Sequence, residues 1–294
     1  MKELIIFAVY FFTLTANSTF ADDIDSKPSV KGLTKIKVIK NEVTPPEKEK
    51  PFRLGVLSYN IHHARGVDGQ LNLARIANVI LSVKPDLVAL QEVDNKTNRT
   101  GKIDQAAELS RLTKMFYIFG SNIEFQGGHY GNAILSRFPV VKKNNLLLPN
   151  LSSGEQRGVL ESVIKVSKEQ KISFLATHLD HRKPDNERIA SAKFINERIS
   201  LSNKIPAILA GDFNDIPFSS TLKEFGKLWL HTNTTLSPTI PVSKPTRQID
   251  YIMIRPKKSW RVIRSKVLDE ACLLYTSDAA DEGLGVDLGG RRII

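Results

Sequence analysis

Six polar side chains in this sequence sit where chemistry is most easily built. Asn60, Glu92, His178, Asp212, Asn214 and Asp250 each adjoin a short apolar run. Their clusters are Ser58-Tyr59-Asn60-Ile61-His62, Ala89-Leu90-Gln91-Glu92-Val93, Ala176-Thr177-His178-Leu179-Asp180, Ala210-Gly211-Asp212-Phe213-Asn214 and Gln248-Ile249-Asp250-Tyr251. A carboxylate at the end of an apolar strand seldom goes unpartnered. Hard carboxylate oxygens suit Mg²⁺, which keeps water and substrate phosphate in the rest of its shell. Asp212 could take a proton from an attacking water, and Asn214 could donate to a phosphoryl oxygen. His178 could donate to the same phosphate. Taken singly, each has a plainer reading: a surface glutamate, an Asx turn, a structural histidine. The ordered set is what points to metal-assisted chemistry.

Other chemistries lack their signatures. The chain has no HxH or HExxH spacing and one cysteine, Cys272, so a zinc site is not expected. It has neither a Gly-x-Ser-x-Gly elbow nor a Walker loop. His62, His63, His129 and His181 gain no support from their neighbours and read as solvated or substrate-rim residues.

The positioning elements follow from hydrophobic period. Leu87-Val88-Ala89-Leu90 and Ala207-Ile208-Leu209-Ala210 are too short for core helices and read as buried strands. Residues 54–61, 132–136, 160–166 and 172–178 also read as strands, with Lys168-Glu169-Gln170-Lys171 as a hairpin turn. Leu73, Ile76, Ala77, Ile80 and Leu81 follow the helical i, i+3, i+4 pattern, which ends before Pro85. Residues 106–115 and 187–201 suggest two more helices, the latter with Ile189, Phe194, Ile195 and Ile199 on its apolar side. Adjacent strands at 160–166 and 172–178 imply antiparallel pairing, so an α/β fold of packed sheets with helices outside is expected.

The 294 residues, 41 % hydrophobic and 25 % charged, suit one large domain with a substantial core. The net charge of +11 suits an anionic partner, phospholipid or nucleic acid, although it is equally compatible with a merely basic soluble surface. Residues 1–21 read as a signal peptide, with Lys2, the apolar run from Leu4 to Phe12 and Thr19-Phe20-Ala21 before Asp22. An exported protein, periplasmic or extracellular, is therefore expected. Residues 22–51, Lys-rich with Pro45-Pro46, read as a flexible linker, and residues 52–271 as the domain. Residues 272–294 have no strand or helix period and resemble a translated sequencing adapter. They are expected to be a non-native tail that leaves the domain without its last strand.

The clusters, in this order, resemble the endonuclease/exonuclease/phosphatase superfamily, the fold of DNase I, apurinic endonucleases and neutral sphingomyelinases. The resemblance covers residues 52–269 and implies a four-layer α/β sandwich of two mixed, mainly antiparallel sheets flanked by helices. It also implies hydrolysis of phosphoester bonds, mainly phosphodiesters, with Mg²⁺ or Mn²⁺. By the same resemblance Glu92 and Asn60 hold the metal, Asp212 prepares the water, and Asn132, Asn214 and His178 hold the phosphate, with Asp250 completing the catalytic set. Asn132 belongs to Gly131-Asn132-Ala133-Ile134-Leu135-Ser136-Arg137. Asn60-Ile61-His62-His63, Gly66-Val67-Asp68-Gly69, Arg157-Gly158 and His178-Leu179-Asp180-His181-Arg182 resemble an exported bacterial branch, in which Arg157, His181 and Arg182 are implied to bind substrate. That branch is similar to the C-terminal domain of a fungal cell-wall protein tied to lipid-anchor remodelling. No stable protein partner is implied, and a monomer is expected. One motif departs: the family's C-terminal Ser-Asp-His reads here as Ser277-Asp278-Ala279. The alternative this opens is a phosphate- or lipid-binding module with impaired catalysis.

Overall fold

The computed structural model describes residues 53–201, 205–233, 235–241 and 244–268, with the backbone pairs Ile5–Ile6 and Arg292–Ile293. Apart from those pairs, the expected leader, linker and tail lie outside the described residues. Two sheets stack because their central strands are apolar on both faces. In spatial order the first contains Arg292–Ile293 (β13), Val56–Asn60 (β2), Leu87–Asn95 (β3), Gly128–Ser136 (β5) and Phe116–Phe125 (β4). The second contains Leu230–His231 (β10), Asp250–Arg255 (β11), Ala207–Asp212 (β9), Lys171–His178 (β8), Gly158–Lys165 (β7) and Val140–Leu147 (β6). Ile5–Ile6 (β1) pairs separately with Val267–Leu268 (β12).

Strand alternation sorts the side chains into layers. Phe174, Ala176, Ile208, Ala210, Ile252 and Ile254 share a buried core with Val88 and Leu90 of the other sheet. The intervening Leu175, Leu209 and Met253 turn the other way, onto Ala192, Ile195 and Ile199 of Asn186–Leu201 (α3) and Leu222 and Phe225 of Ser220–Phe225 (α4). Ile76 and Ile80 of Leu73–Val83 (α1) and Leu109 of Gln105–Thr113 (α2) pack against the first sheet. The result is the expected helix–sheet–sheet–helix sandwich.

Local chemistry sets the helix limits. The Asn72 side chain accepts from Arg75 N–H at 3.1 Å to cap α1, which stops at Lys84 with φ +50, one residue before Pro85. Asp104 caps α2 by accepting from Ala107 N–H at 3.0 Å. That helix ends at Thr113, earlier than its sequence suggests, because Lys114 turns left-handed at φ +60. Val166 N–H donates to Gln170 O at 3.0 Å, closing the expected turn between the antiparallel β7 and β8.

Among the longer strands, β4, β6 and β11 were not read from the sequence. The residues of β4 and β6 are half exposed, which blurs the period-2 signal, whereas β11 is buried but begins at Asp250 instead of ending there. The expected loss of a last strand concerns residues outside the described set. Among the described residues, Arg292–Ile293 pairs antiparallel with Tyr59 and Ser58 of β2.

The fold brings the chemistry to one edge through its two parallel strand pairs among the larger sheets. β2 and β3 pair in parallel and end with Asn60 beside Gln91. β8 and β9 pair in parallel and end with His178 beside Asp212. Stacking the sheets sets these two C-terminal ends side by side.

Candidate active site

Glu92 owes its position to a β-bulge. In the β3–β5 ladder Leu90 opposes Ala133 and Val93 opposes Gly131, so Gln91 and Glu92 together face the single residue Asn132. Glu92 adopts φ +57, a conformation that is strained for a residue with a side chain. It is 3 % exposed. Asn60 Nδ2 donates to Glu92 Oε1 at 2.7 Å and reaches Asp212 Oδ2 at 3.4 Å, so one amide joins both carboxylates. Asn60 Oδ1 accepts from the His62 N–H at 3.1 Å. Its oxygen, the only atom of the amide able to ligate a metal, is thus turned toward the backbone.

Asp212 follows Gly211, where a Cβ would come within 2.0 Å of the Thr177 carbonyl oxygen. The close parallel pairing of β8 and β9 therefore requires glycine there. Asp212 Oδ1 accepts from Asn214 N–H at 2.9 Å, so the Asx turn expected as the plainer reading is present and holds the carboxylate. The turn is fixed from below. Phe213 packs on Phe225 and Tyr251 with ring centroids 4.9 and 5.2 Å away. Tyr251 donates to Asp215 O at 2.9 Å, and the buried Arg188 donates to Asp215 Oδ2 at 2.9 Å. Asp250, fully buried, lies directly opposite Asp212 in the β9–β11 register.

Asn214, at φ +50, aims its amide at His178 Nε2 at 3.0 Å and donates to Leu179 O at 3.0 Å. His178 Nδ1 lies 3.1 Å from Arg157 Nη1, and Nε2 lies 3.8 Å from Asp212 Oδ2. Arg157 is 4 % exposed and also holds Glu155 at 2.8 Å and His181 Nδ1 at 3.2 Å. Asn132 Nδ2 donates to Gly158 O at 3.0 Å, next to Arg157. Seven sequence-nominated residues thus form one bonded group: Asn60, Glu92, Asp212, Asn214, His178, Arg157 and His181. Asn132 and Asp250 adjoin it through the ladders. Arg182 is turned elsewhere, its guanidinium on Asp180 at 3.0 Å, Ser152 O at 3.3 Å and Glu187 at 3.3 Å.

Electrostatics agree with this crowding. Burial first, and then the charge of Glu92, push Asp212 up to about 7 despite donation from Asn214 and Asn60. Burial, then the positive Arg157, hold His178 well below its ordinary value. Two buried carboxylates crowded together, with oxygen donors free of thiolate, fit a hard divalent cation.

Each shift has a stability consequence with a definite sign. Between 3.8 and about 7 native Asp212 binds a proton that the unfolded chain lacks, so this group's contribution falls as pH rises through that window. For His178 the unfolded chain binds the extra proton, so stability falls as pH drops below 6.5. Replacing His178 with Asn should flatten the acid limb of metal-free unfolding free energy by about 1.4 kcal/mol per pH unit below that point. Urea titrations from pH 7 downward would check it, and parallel limbs would contradict it.

Sequence reasoning missed three parts of the site. His63 is buried and is not a solvated rim residue. Glu155 joins the site through Arg157, and burial, outweighing Arg157, raises its pKa. Arg99 grips Asp94 with two bonds of 2.8 Å, just beyond the bulge. Their only signal was proximity in sequence to a named cluster. His129 is exposed, 3.1 Å from Ser121 Oγ.

Comparison with known proteins agrees with the geometry. The chain is 24 % identical over 245 residues to the protein YbhP of Escherichia coli (strain K12), covering 74 % of this chain and 94 % of that one. It is 29 % identical over 163 residues to a 5'-tyrosyl-DNA phosphodiesterase of Caenorhabditis elegans, covering 53 % of this chain and 40 % of the relative. It also superposes on a mannosyl-6-phosphatase of Bacteroides thetaiotaomicron VPI-5482 with a TM-score of 0.59 and 21 % identity, covering 75 % and 96 % of the two chains. The sequence model of the Endonuclease/Exonuclease/phosphatase family matches residues 57–278. The chain is a member of that family, with its fold of two mixed sheets between helices.

Proposed function

We propose that this protein hydrolyses phosphodiester bonds, in phospholipid head groups or nucleic acid, with Mg²⁺ or Mn²⁺ as cofactor. The observation that carries this reading is a pair of N–H donors set beside a buried carboxylate. An arginine can only donate, so His178 Nδ1 accepts from Arg157 and the ring proton sits on Nε2. That N–H and the Asn214 amide, 3.0 Å apart, are both donors and do not satisfy one another. A phosphoryl oxygen accepting from both would resolve the conflict. Donors fixed before the reaction stabilise charge as it develops.

Asp212, 3.8 Å from His178 Nε2, is placed to orient the attacking water and take its proton. Asp250, across the ladder, helps to fix Asp212. Asn132 and Arg157 add donors at the edge of the phosphate position, and His181 faces substrate beside them. Arg182 acts indirectly, holding the 151–154 loop through Ser152 and Glu187. A cation held by Glu92 supplies electrostatic stabilisation of the phosphoryl and leaving oxygens when bound. Asn60 keeps the two carboxylates in place.

The activities of two relatives, one a phosphodiesterase and one a phosphatase, support phosphoester chemistry. The leader-like residues 1–21 and the basic surface support an exported enzyme, periplasmic or extracellular, meeting a polyanion or an anionic head group. Among the described residues no helix is long and apolar enough to cross a membrane.

The test is a hydrolysis panel on the full chain: DNA, RNA, sphingomyelin, inositol phospholipids and sugar phosphates, each with Mg²⁺ and with EDTA. A diester should be cleaved with Mg²⁺, lost in EDTA and restored by excess Mg²⁺. Cleavage of nucleic acid should fall steeply with salt, which separates it from lipid. Equal turnover in EDTA, or none on any substrate, would overturn the proposal.

A further inference from the structure

We propose that His62, His63 and Glu92 form a mixed nitrogen–oxygen site for a borderline transition ion of the Zn²⁺ or Co²⁺ class. Neighbouring side chains on a strand point apart, which is why consecutive histidines do not read as a ligand pair. Here His62, His63 and Ala64 have φ +45, +42 and +63. This left-handed run brings the two imidazoles together, with ring centroids 4.4 Å apart and planes tilted by 53°. One ligand atom from each of His62, His63 and Glu92 lies within 4.8 Å of the others.

A second observation points to a ligand. His63 is 8 % exposed, and its Nδ1 is buried with no hydrogen-bond partner. A buried polar atom left this way costs about 1–3 kcal/mol, a penalty that coordination to a cation removes. His62 is already oriented, since its Nδ1 donates to Arg65 O at 3.3 Å. An outer hydrogen bond of this kind is what fixes ligating histidines elsewhere. The His63 backbone is pinned by Gln105, whose amide donates to His63 O at 2.7 Å. The same Gln105 accepts from Asp94 N–H at 2.9 Å, tying the loop to β3 just past the bulge. On the Glu92 side Asn60 occupies Oε1, leaving Oε2 able to ligate.

Donor type then selects the ion. Two imidazoles with one carboxylate favour Zn²⁺, Co²⁺ or Fe²⁺, whereas Mg²⁺ prefers oxygen alone. The expectation from sequence spacing that no zinc site exists is thereby replaced for this corner of the molecule. The inference shares Glu92 with the phosphoesterase reading, and its readout needs no substrate.

The full chain, stripped with EDTA and dialysed, would be titrated with Co²⁺ while its visible spectrum is followed. The expected result is a saturable absorption of one equivalent, with the intensity of four- or five-coordinate Co²⁺. Zn²⁺ should abolish it, and roughly hundredfold excess Mg²⁺ should not. His62→Ala and His63→Gln should each weaken Co²⁺ binding by about 10–100-fold. Glu92→Gln should weaken it similarly, and circular dichroism would verify folding of all three. His62 is half exposed, so His62→Ala and the milder His62→Asn keep the test open even if a His63 variant unfolds. Weak octahedral absorption displaced by Mg²⁺, or unchanged affinity in the His62 variants, would overturn the inference. Hydrolysis that persists in Mg²⁺ alongside that result would leave the phosphoesterase reading standing. Intact Co²⁺ binding with no hydrolysis of any substrate would do the reverse.

Discussion

Asp212→Asn should lower turnover of a chromogenic phosphodiester by roughly 10²–10⁴-fold, the range for a general base, while KM barely moves. The change keeps shape and keeps the oxygen that accepts from Asn214 N–H. It removes the ability to take a proton, together with the long 3.4 Å acceptor that Oδ2 offers Asn60 Nδ2. The same change should make the metal-free protein more stable above neutral pH, because it removes a buried charge whose pKa burial has already pushed up to about 7. A loss of activity with a gain in melting temperature separates a chemical role from a structural one. Turnover within threefold of the parent would remove Asp212 from the mechanism.

Glu92→Gln should cause a comparable loss, by a different route. Glu92 is held by Asn60 at 2.7 Å in a bulge at φ +57, and a glutamine retains both shape and hydrogen bond. It gives up the charge that a divalent cation requires. We expect Mg²⁺ affinity by calorimetry to fall by at least tenfold and turnover by roughly 10²–10³-fold, the scale for losing a charge-stabilising group. Without metal, Glu92→Gln should melt a few degrees higher at pH 8, since about 1 kcal/mol of relieved repulsion shifts a domain of this size by about 2–4 °C. Unchanged Mg²⁺ binding would place the cation elsewhere. The sites can be told apart because His62→Ala should affect Co²⁺ far more than Mg²⁺.

Much of the scaffold was legible because burial on both faces leaves a strong trace. Leu87-Val88-Ala89-Leu90 and Ala207-Ile208-Leu209-Ala210 became the central strands β3 and β9, and the alternation around 172–178 became β8. The helical period from Leu73 and the stop before Pro85 framed α1 closely. β4 and β6 were hidden, since half-exposed residues carry no clean period, and α2 ended early where Lys114 turned left-handed. At the site, spacing nominated Asn60, Glu92, His178, Asp212 and Asn214, and the fold joined them by hydrogen bonds. It could not reveal that Asn60 presents nitrogen to both carboxylates, that Arg182 is held by Asp180 and Glu187, or that His63 is buried. Those facts depend on side-chain direction.

The sequence by itself determined which strands are buried, and hence which polar residues stand at their ends, because local hydrophobic pattern and capping are written residue by residue. Only the tertiary structure decided which of those ends meet. Two parallel strand pairs from different halves of the chain converge because stacking their apolar faces buries one continuous core. The bulge at Glu92 and the left-handed turn at His62 and His63 then aim side chains in directions that no spacing in the sequence encodes.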